Sequence, residues 1–459
     1  MSRNNDIDMT SGAIWKHIVR FALPMMVGLL FQQLYNTVDT VVVGQFVGKE
    51  ALAAVGCNGN IINVLVGTFA GLATGASVVV SQSYGAHDEK RLKDAVHTTM
   101  TVTLILCVVG TLLGFLLVKP LLRMNATPDD VLADATDYLN IYFAGLTGLL
   151  IYNMGTGILR AVGDSRRPLY FLIVSAVINT ALDLLFVAVF GMGVKGVALA
   201  TIIAEAVSAV LVMVTLLRTD APYGVRVKQL CLSRPLLRSI LSIGMPSAIQ
   251  SGITSFSNVF VQSYINYFGS ACMAGWACYS KTDPFVVIPM QAVAMASTTF
   301  VGQNWGAGDK RRARQGVSVS MRISLVFTVC LSSLLIIFAG QVLTLFTQEA
   351  DVLEFGTYFI RRIIPFYFLL CFNQIYSGAL RGIGNSKTPT VIMLLSFVAF
   401  RQVYLYITRL LSGSRFFVAL AYPIGWILCS TLLIIFYRKS ALFREGKPEE
   451  NTIQGGVTE

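Results

Sequence analysis

Long apolar stretches separated by short, basic loops make up most of the chain. A helix needs about 20 mainly apolar residues to cross a bilayer. Twelve stretches are long enough, and we predict one transmembrane helix in each. They cover residues 13–43, 51–82, 95–117, 132–158, 167–190, 194–217, 238–265, 276–303, 314–338, 354–379, 388–410 and 416–437. The pattern therefore predicts an all-α membrane protein.

The composition supports this interpretation. The chain is 55% hydrophobic and only 13% charged, with a mean hydropathy of +0.67. Soluble proteins carry about 25% charged residues, so these charges are too few to cover a water-facing surface. We expect the lipid bilayer to cover much of it. The net charge of +11 needs no nucleic-acid partner, because membrane proteins concentrate basic residues in their cytoplasmic loops.

The basic residues also predict the orientation of the chain. Of the 35 lysines and arginines, 24 fall at the ends of the predicted helices that share a side with both termini. Positive charge stays on the cytoplasmic side, so we predict that both termini are cytoplasmic in a multi-pass plasma-membrane protein. Residues 1–10 are polar and do not resemble a cleaved signal peptide.

An internal repeat with an offset of 221 residues runs through the chain. The segment from Leu159 to Pro168 returns from Leu380 to Pro389, and Gln82 to Asp88 returns as Gln303 to Asp309. Six helices per copy is an even number, so both copies enter the membrane from the same side. We therefore predict two parallel six-helix bundles, related by a pseudo-two-fold axis along the membrane normal, with a central space between them.

This repeat predicts five segments. They are a cytoplasmic N-terminal segment at 1–12, an N-lobe at 13–217, a cytoplasmic linker at 218–237, a C-lobe at 238–438 and a cytoplasmic tail at 439–459.

The repeated loops have a simple mechanical interpretation. Gly163 and Gly384 can adopt the left-handed conformation that ends a helix. Ser165 and Ser386 suit the N-cap of the next helix, and a proline three residues later suits its first turn. These features predict a tight helix–turn–helix and no chemistry.

Three acidic residues fall inside predicted membrane helices of the first half. Asp39 lies in the first helix, Asp183 in the fifth and Glu205 in the sixth. An intramembrane charge costs at least about 2.5–3.5 kcal/mol, so each acid is a candidate functional residue. Structural hydrogen bonding between helices is the alternative for each, and we expect Glu205 only to support the site.

The neighbours of these acids suggest a cation site. Asn179 precedes Asp183 by four residues and Thr201 precedes Glu205 by four, so each pair shares a helix face. If the first helix packs against the fifth and sixth, carboxylate, amide and hydroxyl oxygens converge. Oxygen ligands suit Na⁺, and two close carboxylates that cannot both ionise cheaply suit a proton. These residue types are therefore compatible with either Na⁺ or H⁺ as the bound cation.

The second half lacks these acids but carries a basic residue at mid-span. In the second copy of the repeat, Tyr404 occupies the position equivalent to Asp183. Asn258 occupies the position that corresponds to Asn36. Arg401 lies too deep to reach the membrane surface easily. We expect it to pair with an acid or with backbone carbonyls, with direct contact to an anionic substrate group as the alternative.

Several classes of function are disfavoured by what the sequence lacks. The eight cysteines and three histidines form no metal-ligand spacing, so we expect neither a zinc site nor a bound cofactor. There is no GxxxxGK[ST] motif, so ATP is not the energy source. We predict that the protein is neither a membrane-embedded enzyme nor a passive channel.

The residues from Tyr35 to Gly44, followed by the paired LRxxGxSxxP loops, resemble the multidrug and toxic compound extrusion (MATE) family of transporters. The resemblance covers about residues 13–438 and implies twelve helices in two bundles. For the prokaryotic members it implies an ion site in the N-lobe. That site would consist of Asp39, Asn179, Asp183 and Thr201, where Na⁺ could bind.

The resemblance further implies an antiporter that exports small, often cationic or amphiphilic organic compounds in exchange for Na⁺ or H⁺. The residues that would line its substrate cleft are Gln32, Tyr35, Asn36 and Asn153, and Arg401 is a further candidate. The alternative is a flippase for lipid-linked oligosaccharides with the same architecture. We expect a monomer.

Overall fold

The computed structural model describes residues 6–47, 49–125, 127–129, 131–411 and 415–443, which form helices joined by short connections, with no strand among them. The α-helices are α1 Ile14–Phe46, α2 Lys49–Gly85, α3 Glu89–Met124, α4 Leu132–Ala144, α5 Leu146–Ala161, α6 Arg166–Asp183, α7 Gly193–Arg218, α8 Arg234–Asn266, α9 Ser270–Thr282, α10 Pro284–Gly306, α11 Lys310–Ile337, α12 Ala339–Leu343, α13 Ala350–Ile363, α14 Phe368–Gly382, α15 Lys387–Leu394, α16 Arg401–Leu411 and α17 Arg415–Arg438. We call α1–α7 the N-lobe and α8–α17 the C-lobe.

Nine helical segments of the described chain are long and apolar enough to cross a membrane, and two bent helix pairs bring this number to eleven. Helix α8, with 33 residues, is also long enough to cross a membrane. The prediction of an all-α membrane fold is confirmed. Large apolar side chains such as Leu112, Leu116 and Ile337 remain exposed on the outside of the bundle, as expected for a surface that faces lipid.

The fourth and tenth predicted helices are bent, which the apolar pattern did not show. α4 and α5 meet at 49°, and the helix that leads to α14 bends by 50°. Gly145 separates α4 from α5. Pro365 lies in the 3₁₀ turn Ile364–Phe366 that precedes α14, and a proline has no N–H to continue an α-helix. The two bends occupy equivalent places in the two lobes.

The repeated loops have the predicted backbone but a different cap. Gly163 and Gly384 have φ values of 86° and 89°, so the left-handed helix ends are confirmed. Ser165 and Ser386 occupy the predicted N-cap positions, but neither side chain makes a capping hydrogen bond. In the first loop Oδ1 of Asp164 accepts instead from the backbone N–H groups of Arg166 and Arg167, both at 3.1 Å.

The two lobes share their most extensive contact where α2 packs against α8. A Cβ atom added at Gly71 would lie 2.4 Å from the backbone nitrogen of Ala248, and one at Gly75 would lie 2.3 Å from the carbonyl oxygen of Ile240. Only glycine permits this approach of two backbones. The contact fixes the position of one lobe against the other.

Candidate functional site

The predicted acidic pair of the N-lobe does come together. Helix α1 packs along α6, α7 and the π-helical turn Leu184–Val189 that follows α6. This packing places the carboxyl groups of Asp39 and Asp183 within hydrogen-bonding reach of each other. Asp183 is the last residue of α6 before the π-helical turn. Such turns are frequent at functional sites, because they locally change the direction of the helix.

Several polar atoms of this site are buried and lack a hydrogen-bond partner among the described residues. Asp183 is fully buried and Asn179 is 2% exposed. Both carboxylate oxygens of Asp183, the side-chain oxygen and nitrogen of Asn179 and Oδ1 of Asp39 have no hydrogen-bond partner among the described residues. Buried polar atoms without partners are costly, and each usually has a functional reason. A cation that binds between these oxygens would supply what the protein does not.

Thr201 and Tyr138 complete the surroundings of the acids. The hydroxyl of Thr201 donates to the carbonyl of Val197 at 3.0 Å and is also in hydrogen-bond contact with the phenol of Tyr138. Tyr138 of α4 is buried near Asp39 and Glu205. The sequence analysis missed Tyr138, although its spacing of four from Tyr142 indicates a shared helix face.

The chemistry available to this site is the binding of a small cation. Two carboxylates side by side in a medium of low dielectric constant repel each other strongly unless a proton or a metal ion lies between them. Carboxylate, amide and hydroxyl oxygens are the ligands that hard cations prefer. The site contains no nucleophile with an adjacent base, and we find no reaction that these groups could catalyse.

At mid-span of its eleventh predicted membrane helix, the C-lobe carries an arginine, Arg401, and not an acid. Nη2 of Arg401 donates to the hydroxyl of Ser257 and to the amide oxygen of Asn258, both at 2.9 Å. Its guanidinium lies 4.9 Å from the ring centre of Tyr422. The expected pairing with an acid or a backbone carbonyl is therefore wrong for the described residues, because α8 supplies neutral side-chain oxygens and α17 supplies an aromatic face.

A half-buried acid, Asp283, lies in the C-lobe between α9 and α10. The hydroxyl of Tyr367 donates to Asp283, and the hydroxyls of Tyr367 and Tyr279 are 2.8 Å apart. The neighbouring Lys281 is exposed. The phenols satisfy Asp283, so this cluster differs from the N-lobe site, whose oxygens lack donors.

A polar cavity of about 300 Å³ lies between the lobes. Helices α1, α2 and α5 line it from the N-lobe, and α8, α10 and α14 line it from the C-lobe. Its walls include Arg160 and Arg381, together with Thr74, Gln250, Gln291 and Gln374. The sequence analysis placed the two arginines only at helix ends and assigned them no role in a cavity.

None of the five residues that we expected in the substrate cleft lines this cavity. Tyr35 lies near Glu205 and Asp39, Gln32 is half-buried and Asn36 is exposed. The amide of Asn153 donates to the carbonyl of Leu149 at 2.9 Å. Their assignment to a cleft stays a prediction.

The end of the bundle that carries the repeated loops is closed, and we call it the basic end. Residues 6–12, which we call the strap, cross it from one lobe to the other. The backbone N–H of Ile7 donates to the carbonyl of Val162 in the N-lobe, and that of Met9 donates to Oε1 of Gln303 in the C-lobe at 2.9 Å. Arg312 donates to the carbonyl of Met9 at 3.1 Å.

These features define a class of protein. Two similar helical lobes flank a cavity, and one lobe brings two carboxyl groups together within a membrane-spanning bundle. This is the architecture of a secondary transporter built from internal repeats.

Comparison with known proteins identifies the family. The MatE family model matches twice, at residues 24–185 and 246–407. The chain is 30% identical to the probable multidrug resistance protein YoeA of Bacillus subtilis over 84% of each chain. It is 24% identical to the FAD transporter of Shewanella oneidensis over 85% of this chain and 87% of that one.

Solved structures share the fold. A MOP superfamily transporter from Pyrococcus furiosus, described as having a binding pocket of reverse polarity, superposes with a TM-score of 0.90 at 24% identity, over 97% of this chain and 100% of that chain. The chain belongs to the MATE family of transporters. It is therefore a transporter and not an enzyme.

Proposed function

We propose that the protein is a secondary active antiporter that exports organic compounds in exchange for Na⁺ or H⁺. The observation that carries this proposal is the pair Asp39 and Asp183, whose carboxyl groups meet, with both oxygens of Asp183 and Oδ1 of Asp39 buried without a hydrogen-bond donor among the described residues. The relatives named as multidrug resistance proteins support export of small organic molecules. The basic end then faces the cytoplasm of the cell, and both termini lie there.

The ion drives transport through its charge. One charge that moves down a membrane potential of 100 mV releases about 2.3 kcal/mol, which corresponds to roughly a fifty-fold concentration ratio of substrate. Asp39, Asn179, Asp183 and Thr201 bind the ion in this mechanism. Binding removes the repulsion between the two carboxylates and stabilises one arrangement of α1 against α6 over the other, which changes the side on which the cleft opens.

Purified protein in liposomes tests the mechanism, with Na⁺ and pH gradients imposed separately and efflux of a fluorescent dye as the readout. We expect Asp39→Asn and Asp183→Asn each to reduce ion-driven efflux to background, because a neutral amide does not exchange a charge. Asp137→Asn is the matched control, since Asp137 is an N-lobe acid that pairs with Lys195 on the surface. Normal ion-driven efflux by Asp39→Asn would refute the proposal.

A further inference from the structure

Two arginines related by the internal repeat enter the same cavity from opposite lobes. Arg160 lies at the C-terminal end of α5 and Arg381 at that of α14, 221 residues later. Both line the cavity of about 300 Å³ between the lobes. The pseudo-two-fold relation of the lobes therefore places two guanidinium groups in the lining of one cavity.

Neither arginine has an acidic partner. None of the residues that line the cavity is an aspartate or a glutamate. The four salt bridges within the described part of the chain involve other residues. Nη2 of Arg381 donates to Oε1 of Gln250 at 3.0 Å, and its Nε has no hydrogen-bond partner among the described residues. Two cations thus share a space that the protein leaves without a counter-charge.

The position of both arginines at helix ends explains only part of this arrangement. The C-terminus of a helix favours a positive charge by roughly 0.3–1 kcal/mol at exposed sites. Arg218 uses this effect at the end of α7, where its side chain remains exposed. Two partly buried guanidinium groups that line one cavity repel each other, and an anion bound between them would remove this repulsion.

We propose that this cavity binds the anionic group of the transported substrate, which we infer to be an organic anion that carries a phosphate or a carboxylate. The inference rests on the transport function proposed above and names its substrate class. A guanidinium forms two parallel hydrogen bonds with a carboxylate or a phosphate. Arginines from both lobes allow such a group to hold the lobes together while it is bound.

The rest of the cavity defines the body of this substrate. A volume of about 300 Å³ lies at the lower end for ligand pockets, so it suits a charged head with a short polar body. Gln250, Gln291 and Gln374 provide amide donors and acceptors, and Phe21 and Met295 provide apolar contacts. This lining suits a flat, hydrogen-bonding ring next to the anionic group.

A binding experiment tests the inference without any ion gradient. The probe is flavin mononucleotide, whose quenched fluorescence reports binding to the purified protein in detergent. Riboflavin, which lacks the phosphate, is the matched ligand. We expect flavin mononucleotide to bind at least about tenfold more tightly than riboflavin, and Arg160→Gln or Arg381→Gln to remove this difference, because the charged hydrogen bonds are lost.

Three further variants keep the result interpretable. Lysine retains the positive charge but lacks the paired N–H donors of a guanidinium. If Arg381 binds the phosphate, Arg381→Lys therefore keeps part of the preference for flavin mononucleotide that Arg381→Gln loses. Arg218→Gln removes a helix-terminal arginine outside the cavity and leaves binding unchanged. Asp137→Asn removes a surface acid outside both sites and leaves binding unchanged. The binding assay uses no ion gradient, so its outcome is separate from that of the antiport mechanism.

Two results would overturn the inference. The first is equal affinity for flavin mononucleotide and riboflavin in the wild-type protein. The second is that Arg160→Gln and Arg381→Gln each still bind flavin mononucleotide more tightly than riboflavin, by the same factor as the wild-type protein. If short-chain phosphatidylglycerol displaces the probe at lower concentration than inorganic phosphate does, the site belongs to a lipid headgroup, and the soluble substrate is refuted. Ion-driven dye efflux in liposomes still decides the antiport mechanism in each of these cases.

Discussion

Gln82 and Gln303 make the same hydrogen bond from opposite lobes. Nε2 of Gln82 donates to the carbonyl of Gly382 at 2.8 Å, and Nε2 of Gln303 donates to the carbonyl of Ala161 at 2.9 Å. Donors and acceptors are each 221 residues apart, so the pair follows the pseudo-two-fold axis of the fold. Together the two bonds hold the basic end closed.

Removal of these donors should open the basic end. We expect Gln82→Glu with Gln303→Glu to favour the open form, because each carboxylate would face a carbonyl oxygen. Each lost hydrogen bond is worth about 1 kcal/mol, so the ratio of open to closed forms should rise by at least about tenfold. Spin labels at Arg166→Cys and Lys387→Cys, which are exposed and also 221 apart, report the distance between the lobes. Gln348→Glu on the surface is the control, and an unchanged distance distribution would contradict the assigned role.

Two glycines at the same end should tolerate no side chain. A Cβ atom at Gly85 would lie 1.9 Å from the carbonyl oxygen of Gln303, and one at Gly306 would lie 2.0 Å from that of Gln82. We expect Gly85→Ala or Gly306→Ala to prevent closure and to reduce transport at least about tenfold, since real Cβ atoms do not approach backbone so closely. Gly340→Ala is the matched control, because no atom lies within 4 Å of its added Cβ. Transport at the control rate by Gly85→Ala would show that the basic end need not close this tightly.

The phenol of Tyr138 should tune ion affinity. It is in hydrogen-bond contact with Thr201 next to the two acids, and Tyr138→Phe removes only the hydroxyl. We expect the Na⁺ or H⁺ concentration for half-maximal transport to rise about five- to tenfold, with little change in the maximal rate. Tyr142→Phe, on the ring that stacks against Tyr138, is the control. An equal effect of both variants would indicate general repacking of α4.

Docking of the strap should depend on Arg312. Its guanidinium donates to the carbonyls of Met9, Ser11 and Gly12. We expect Arg312→Gln to release residues 6–12, which a spin label at Ser11→Cys reports as increased mobility. The exposed neighbour Arg311 provides the control Arg311→Gln. If both variants leave the label equally immobile, the arginine does not hold the strap.

The strap should also respond to pH through Asp6. Its Oδ1 accepts from the hydroxyl of Tyr223 at 2.7 Å, and burial raises the pKa of Asp6 above its ordinary value of 3.8. Asp6 thus binds its proton more tightly in the docked form than in the free form, so the contribution of Asp6 to docking is fully present below pH 3.8 and is lost as the pH rises through the raised pKa. Asp6→Asn keeps the acceptor and should abolish this dependence. A pH titration of the Ser11 label measures it, and an identical titration in both proteins would exclude Asp6.

Two features of the molecule could be predicted from the sequence: those that depend on the length of apolar stretches, and those that depend on the free-energy cost of a charge in the membrane. Apolar length predicted the spans, and the price of an intramembrane charge pointed to Asp39 and Asp183. The bend at Gly145 could not be predicted, because a glycine within an apolar stretch is compatible with a continuous helix. The role of Arg160 and Arg381 was also hidden, since an arginine at a helix end is common. Only the meeting of two lobes in space shows that they share a cavity.

The glycine contact between α2 and α8 has a mechanical consequence. Backbones that touch at Gly71 and Gly75 leave no room for the lobes to move closer there. We expect the lobes to roll about this contact line, so that opening one end of the bundle narrows the other.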